Sequence, residues 1–303
     1  EFNLACALRQ TVSSFVNLFT FLLIPAALIG VPAKVIAITI PVHLFLQFWY
    51  HTKHIKKIGF LEKILVSPSH HRVHHAINPE YMDKNHSQIF IFWDKLFCTF
   101  QEELDDVPPV YGITRPARTW NPIRINFQHL WLLITDAWRA KKWKDKFTIW
   151  FKPTGWRPEN FETKYPVTKI TNVYNFEKYG MQHSKKLMYW SIFQAAMTLV
   201  LITYMYNSIA IIGLPNVFIY GAFIFVSVYS YTELMDERKS SILWESIRFA
   251  FGIGLIFYFG DWFGMNQLFP FANYIILSYL ILSLLTTIYF VSSNFEKETV
   301  LVA

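Results

Sequence analysis

Residues 187–207 read Leu187-Met-Tyr-Trp-Ser-Ile-Phe-Gln-Ala-Ala-Met-Thr-Leu-Val-Leu-Ile-Thr-Tyr-Met-Tyr-Asn207, a run with no charged side chain. A helix rises 1.5 Å per residue, so about 20 apolar residues cross the hydrocarbon core of a bilayer. Three further runs follow, at about 212–231, 242–263 and 268–292, joined by short polar links at Asn207-Ser208, Glu233 to Ser241 and Gly260 to Gln267. These predict four transmembrane helices. Trp190, Trp244 and Trp262 fall near run ends, where aromatic belts form. Working outward towards the N-terminus, residues 12–50 carry one formal charge, Lys34, and one histidine, His43. Gly30-Val-Pro32 divides this stretch at a turn. Each arm is then about 18 residues, enough for a membrane hairpin or a deep re-entrant pair. A buried soluble hairpin is the other reading. Pro25 is expected to kink the first arm, as membrane helices tolerate. The fold class expected is an all-α polytopic membrane protein.

The charge pattern supplies the sidedness. Of the 303 residues, 53% are hydrophobic and only 16% charged, which argues against disorder and against an ordinary water-soluble enzyme. Two cysteines, Cys6 and Cys98, argue against a disulfide-stapled secreted domain. The net charge is +7, and 22 of the 28 Lys and Arg residues lie within 51–186. The positive-inside rule puts that segment in the cytoplasm. Glu233-Leu-Met-Asp-Glu-Arg238-Lys239 is the only basic link among the four C-terminal runs, as alternating crossings require. Lys34 at the hairpin tip is the exception. Residues 125–139 mix apolar bulk with polar side chains, and Arg139 to Lys146 interleaves Lys with Trp143. That pattern suits a helix in the headgroup zone, with a solvated basic helix end as the alternative. Nucleic acid is not expected as a partner, because the patch adjoins membrane spans and no recognised binding motif is present. The chain starts at Glu1 with no signal-peptide pattern, and reads as a piece of a longer protein.

The chemistry-bearing residues are concentrated. Four of the ten histidines fall in His70-His71-Arg72-Val73-His74-His75. On a helix His71, His74 and His75 stand at i, i+3 and i+4 and share a face, and His70 pairs with His74 at i, i+4. Neutral imidazoles suit Fe, Zn, Cu and Ni, so the residue type leaves the metal open. A pH-sensing or solvated cluster is the competing reading. His51, at the end of the second arm, is placed to reach the same site. His43 reads as a hydrogen-bonded core histidine. His86, His129 and His183 are isolated in sequence. Glu80, Asp83 and Asp94 are candidate acceptors for the second ring nitrogens, or simply surface charges and caps.

Ser67-Pro68-Ser69-His70-His71-Arg72-Val73-His74-His75 resembles the last histidine box of the fatty acid hydroxylase (sterol desaturase) superfamily. The runs Asn78 to Asn85, Phe92 to Glu103 and Gln47 to Thr52, and the opening Phe2 to Gln10, resemble its ether-lipid-oxidising branch. The family tends to have an aromatic and two glycines at His86-Ser87-Gln88, and glycine at Cys98. The resemblance implies that residues 1–186 are the C-terminal part of the hydroxylase domain, with a membrane hairpin at about 12–50 and a cytoplasmic histidine-box region at 51–186. Residues 187–303 would form a separate transmembrane block. It implies a di-iron site in which His71, His74 and His75 match the third box and His51 the histidine between boxes. His70 matches a recurrent extra histidine and is counted among the metal candidates. The first two boxes are absent from this sequence, so these 303 residues alone would be inactive. It further implies O2 as co-substrate, a lipid substrate cleaved at the O-alkyl bond, and tetrahydrobiopterin as electron donor, though no motif shows the donor. A multi-pass protein of this kind would sit in the endoplasmic reticulum membrane of a eukaryote or the plasma membrane of a bacterium. The alternatives are a sterol or sphingolipid hydroxylase or desaturase with the same metal site, and a non-catalytic metal-binding membrane protein.

Overall fold

The structure, a computed structural model, describes residues 20–176, 178–180 and 184–301. Cys6, His183, the opening run Phe2 to Gln10 and residues 12–19 of the first arm lie outside the described residues. The described residues are helical, with two isolated β-bridges, Leu65 to Phe90 and Ala76 to Tyr111, and no strand. Five of their helices are long and apolar enough to cross a membrane. The chain is thus an all-α polytopic membrane protein, as its apolar runs predict.

Two compact units are present. The first comprises residues 1–116 and 129–178, the second 117–128 and 179–303. In the first, a 3-10 turn at Thr20–Leu23 passes into a short helix, Ile24–Leu28, with Pro25 in its first turn. Proline is tolerated there because first-turn N–H groups have no helical acceptor. The helix ends as a Schellman motif. Gly30 N–H donates to the Ala27 carbonyl and Val31 N–H to Ala26, both at 3.0 Å, with Gly30 at φ +83°. Pro32 then opens α1, Ala33–Tyr50. Most of α1 is exposed apolar surface, as a lipid-facing helix requires. The histidine box forms α2, Pro68–His74. A longer amphipathic helix, α3, spans Pro122–Arg139, and its residues from His129 onward belong to this unit.

The second unit holds α4 (Lys185–Asn207), α5 (Leu214–Met235), α6 (Ser241–Phe259) and α7 (Ala272–Leu301). Its core packs Tyr220, Phe223, Leu255, Trp262, Tyr279 and Leu280. Gly252 lets α6 approach closely: a Cβ there would stand 2.6 Å from Leu280 Cδ1 and 3.1 Å from Phe223 Cε2. Small residues at helix crossings are the usual means of tight packing in lipid. A buried polar network joins all four helices. Arg248 pairs with Glu245 at 2.6 Å on α6 and donates to Gln194 Oε1 on α4 and the Tyr279 hydroxyl on α7, while Ser230 on α5 donates to Glu245. An intramembrane ion pair is costly unless its remaining hydrogen-bonding groups are satisfied, and here polar side chains from every helix meet most of them.

The link after α5 is equally occupied. Asp236 accepts from the Thr119 hydroxyl, from Trp120 N–H at 2.7 Å and from the Tyr179 hydroxyl at 3.0 Å. Glu233 accepts from Arg124 Nη2 at 3.0 Å and from Asn121 Nδ2 at 3.2 Å. The polar residues 119–124 and this link therefore lie on one side of any bilayer the four helices span.

Candidate metal centre

The centre is built from two helix ends. Tyr50, buried, closes α1, and His51 follows as its C-cap with N–H donating to the Phe48 carbonyl at 3.2 Å. At the other end Ser67 caps α2, accepting from His70 N–H at 3.3 Å. Pro68 occupies the first helical position, where its fixed φ is already helical. His70 returns the favour: its Nδ1 accepts from Ser67 N–H at 3.4 Å, completing a capping box in which histidine stands where glutamate or glutamine usually does. His70 is buried with its ring edge-on to Phe100 and is not part of the cluster described next.

One helical turn separates His71 from His75, so both rings leave α2 on one face. His51 comes to meet them. The Nε2 atoms of His51 and His71 are 3.2 Å apart, those of His51 and His75 3.2 Å, and those of His71 and His75 3.1 Å. Three nitrogens at these separations match imidazoles sharing one ion at about 2.1 Å each. Burial, then the neighbouring imidazoles of His75, His51 and His74, pushes the His71 pKa down to about 2. Burial and then His74 and His51 push that of His75 down to about 4. Both rings are neutral at physiological pH and keep a lone pair for a metal, which is the chemistry a ligand set needs. His74 projects to the exposed side, 5.2 Å from His75 and 5.8 Å from the ring of His86, centroid to centroid. His86, isolated in sequence, is thus brought beside the box. His43 meets Gln88 by hydrogen bond, and His54 is exposed.

The acidic candidates do other work. Asp94 accepts from His86 N–H at 2.8 Å, Ser87 N–H at 2.9 Å and the Thr99 hydroxyl at 2.6 Å. Burial alone would raise its pKa, but these hydrogen bonds from Ser87, Thr99 and His86 outweigh it and hold the carboxyl below the usual range. It clamps the loop carrying His86. Glu80 accepts from the Tyr174 hydroxyl, and Asp83 is exposed.

Residues that sequence reasoning passed over do the positioning. Arg72, between the box histidines, points away from them. It donates Nε and Nη2 to Glu103, at 2.8 and 2.6 Å, and also binds the carbonyls of Thr52, Ile55 and Lys56. This ties the segment just after His51 to the box helix. Asn85, buried, bridges the carbonyls of His70 and Gln101. Tyr81 donates to the Val107 carbonyl at 2.6 Å and accepts from Leu104 N–H. An arginine inside the box, facing Gln101-Glu102-Glu103 later in the chain, was the available signal for the first of these.

Residues 1–99 match the family description "Fatty acid hydroxylase". Over this stretch, about a third of its length, the chain is similar to the fatty acid hydroxylase family. The matched segment contains all three clustered histidines. Over 250 residues the chain is 33% identical to "Alkylglycerol monooxygenase" of Homo sapiens, covering 82% of this chain and 55% of that protein. The Danio rerio protein of the same name is 34% identical over 254 residues, 82% of this chain and 54% of its own. The Xenopus tropicalis one is 31% identical over 250 residues, 82% and 55%. The chain spans about half the length of these relatives. These alignments extend well beyond residues 1–99, into the C-terminal helices. No solved structure matches the chain.

Proposed function

We propose that this chain is part of a membrane-bound, iron-dependent monooxygenase that hydroxylates an ether lipid at the carbon next to the ether oxygen. The product is a hemiacetal, which collapses to a fatty aldehyde and a glycerol, so that the O-alkyl bond is cleaved. The balance requires O2 and two reducing equivalents; one oxygen atom enters the lipid and the other leaves as water. Tetrahydrobiopterin is our proposed donor. The observation that carries the reading is the triangle of neutral imidazoles at the end of membrane helix α1, in a chain similar to alkylglycerol monooxygenases.

In this reading His51, His71 and His75 hold one iron, and His74 turns towards a second. When bound, the iron supplies the one-electron O2 chemistry that side chains lack. The chain's own residues do the rest. Arg72 and Glu103 keep His51 against α2. Ser67 and His70 fix the first turn of α2, and with it the direction of His71. The apolar face of α1 leads an alkyl chain from the bilayer to the histidines at its end. Residues 51–186 and the Glu233–Ser241 link are assigned to the cytoplasm. Residues 1–186 form the C-terminal part of the hydroxylase domain and 187–303 a transmembrane block. The host membrane is the endoplasmic reticulum in a eukaryote or the plasma membrane in a bacterium.

The test uses the natural protein in membranes, given an alkylglycerol, O2 and reduced pterin, with aldehyde and bound iron measured together. His71→Ala should lose both. A His71→Ala protein with full iron content sinks the ligand assignment. Wild-type activity on a sterol or sphingolipid and none on an alkylglycerol sinks the substrate.

A further inference from the structure

A second site lies in the first unit, built without any of the clustered histidines. The C-terminal half of α3, the segment Ile149 to Arg157, Thr114-Arg115 and the stretch Val167 to Lys169 enclose a cavity of about 300 Å³. Ile170 N–H donates to the Thr114 carbonyl at 2.9 Å and holds two of these walls together. Four cationic side chains line it, Arg115, Lys152, Arg157 and Lys169, against one lining carboxylate, Asp136, with Lys169 also paired to Glu162 at 2.9 Å. The Asp136 carboxylate is already committed: Arg157 binds both its oxygens, at 2.6 and 2.9 Å, and both side chains are almost fully buried. Arg115 has no such partner. Its Nη1 is buried and makes no hydrogen bond among the described residues, and Asp136, which also attracts it, is bound by Arg157. Burial and then the neighbouring Arg157 charge hold its pKa below the usual arginine value.

A buried guanidinium nitrogen without an acceptor costs free energy, and native proteins seldom leave one so. Arg115 lines a cavity with excess positive charge, and this orphaned nitrogen in its guanidinium calls for an anion. The guanidinium fork suits the tetrahedral oxygens of a phosphoryl group. Leu132, Leu133, Ile149 and Trp150 make part of the remaining wall apolar, beside His129, Thr114 and Thr154, so the anion's carrier has a greasy side. Around it the same unit exposes Trp138, Trp143, Phe147 and Phe151 beside Lys141, Lys142 and Lys144. Exposed aromatics interleaved with lysines are the signature of a surface that sits in an anionic headgroup layer.

We propose that this cavity is a phosphoryl-binding site, with Arg115 as its central donor and Lys152 and Lys169 at its rim. The phosphoryl group comes from an anionic phospholipid or from a soluble phosphate. Nothing in this inference depends on the metal centre or on the proposed reaction.

The experiment follows thermal unfolding and direct binding of the natural protein in phosphate-free detergent. The probes are dioleoyl phosphatidic acid in mixed micelles, inorganic phosphate, and dioleoyl phosphatidylcholine as the control for a lipid without net negative charge. Phosphatidic acid should raise Tm, since a ligand that binds only the folded state stabilises it. Arg115→Gln should abolish the rise and weaken binding at least tenfold, and Lys152→Gln should weaken it to a smaller degree. Without anion, Arg115→Gln should unfold at the same temperature as the parent or higher, because it removes an uncompensated charge. Lys142→Gln, outside the cavity, should behave as the parent. A response to inorganic phosphate as well identifies the phosphoryl group alone as sufficient; a response to phosphatidic acid only identifies the lipid. No response to either probe, or a response that survives both Arg115→Gln and Lys152→Gln, overturns the site.

Discussion

His70 and His71 are neighbours with opposite tasks. The first spends its Nδ1 on a backbone N–H at the start of α2, and the second turns its Nε2 to His51 and His75. Glutamine at that position of a capping box makes the same reciprocal bond as His70 does here. His70→Gln should therefore retain the metal content of the natural protein and lose less than about 1 kcal/mol of stability, whereas His70→Ala should lose about 1 kcal/mol through the broken cap. Metal analysis beside thermal unfolding separates the two roles, and loss of metal in His70→Gln would make it a ligand after all. Cys98 is the other informative position. It stands at the C′ position of the short helix Phe92–Leu96 with φ +58°. Its N–H donates to Lys95 and that of Thr99 to Asp94, the two bonds of a Schellman motif. A side chain in this left-handed conformation is strained by roughly 1 kcal/mol. Glycine, which has no Cβ, adopts this conformation without that strain. Cys98→Gly should raise stability by about that amount in chemical denaturation, and a loss of stability would count against this backbone conformation.

The element that brings the clustered histidines together is the junction of α1 and α2, and a buried ion pair secures it. Arg72 and Glu103 are largely removed from solvent, with side-chain exposures of 7% and 18%. Removing one partner of such a pair leaves the other uncompensated, at about 3–5 kcal/mol. Arg72→Ala should destabilise by that order and also release the segment 52–56, so metal affinity should fall although no ligand has changed. Arg72→Lys keeps the charge but not the fork that reaches three carbonyls and a carboxylate, and should fall in between. Metal titration with unfolding read in parallel checks this; unchanged affinity in a folded Arg72→Ala protein would remove the positioning role. In the second unit the crossing of α6 and α7 rests on Gly252. Gly252→Ala should cost about 1–3 kcal/mol by overpacking, and Leu280→Ala in the same chain should recover part of the loss. Additive losses in the double variant would show that the two positions do not compete for space.

For the molecule as a whole the decisive property is sidedness. Trp120 is attached to Asp236 through its backbone, and Ser240 donates to Glu233 within the same link. In a background lacking the natural cysteines, Trp120→Cys and Ser240→Cys should react with a membrane-impermeant thiol reagent from the same side of sealed vesicles. Labelling from opposite sides would contradict four crossings in the C-terminal block.

The sequence by itself determined the helical spans, the turn at Gly30, the basic character of the link after α5 and the common face of His71 and His75. Each depends on local geometry: 1.5 Å per residue, 3.6 residues per turn, and the free energy of placing apolar or charged groups in lipid. Sequence also put His51 near the box, though not the three nitrogens at mutual contact distance. The tertiary structure alone decided what depends on partners distant along the chain. It turned His70 into a cap and brought His86 beside His74. It made Asp94 a loop clamp and tied residues 119–124 to Glu233 and Asp236. It also left Arg115 Nη1 without an acceptor beside a charged cavity while giving Arg157 to Asp136. A titratable side chain carries the same letter in each of these roles. Burial and the nearest opposite charge choose among them, and both are properties of the packed fold.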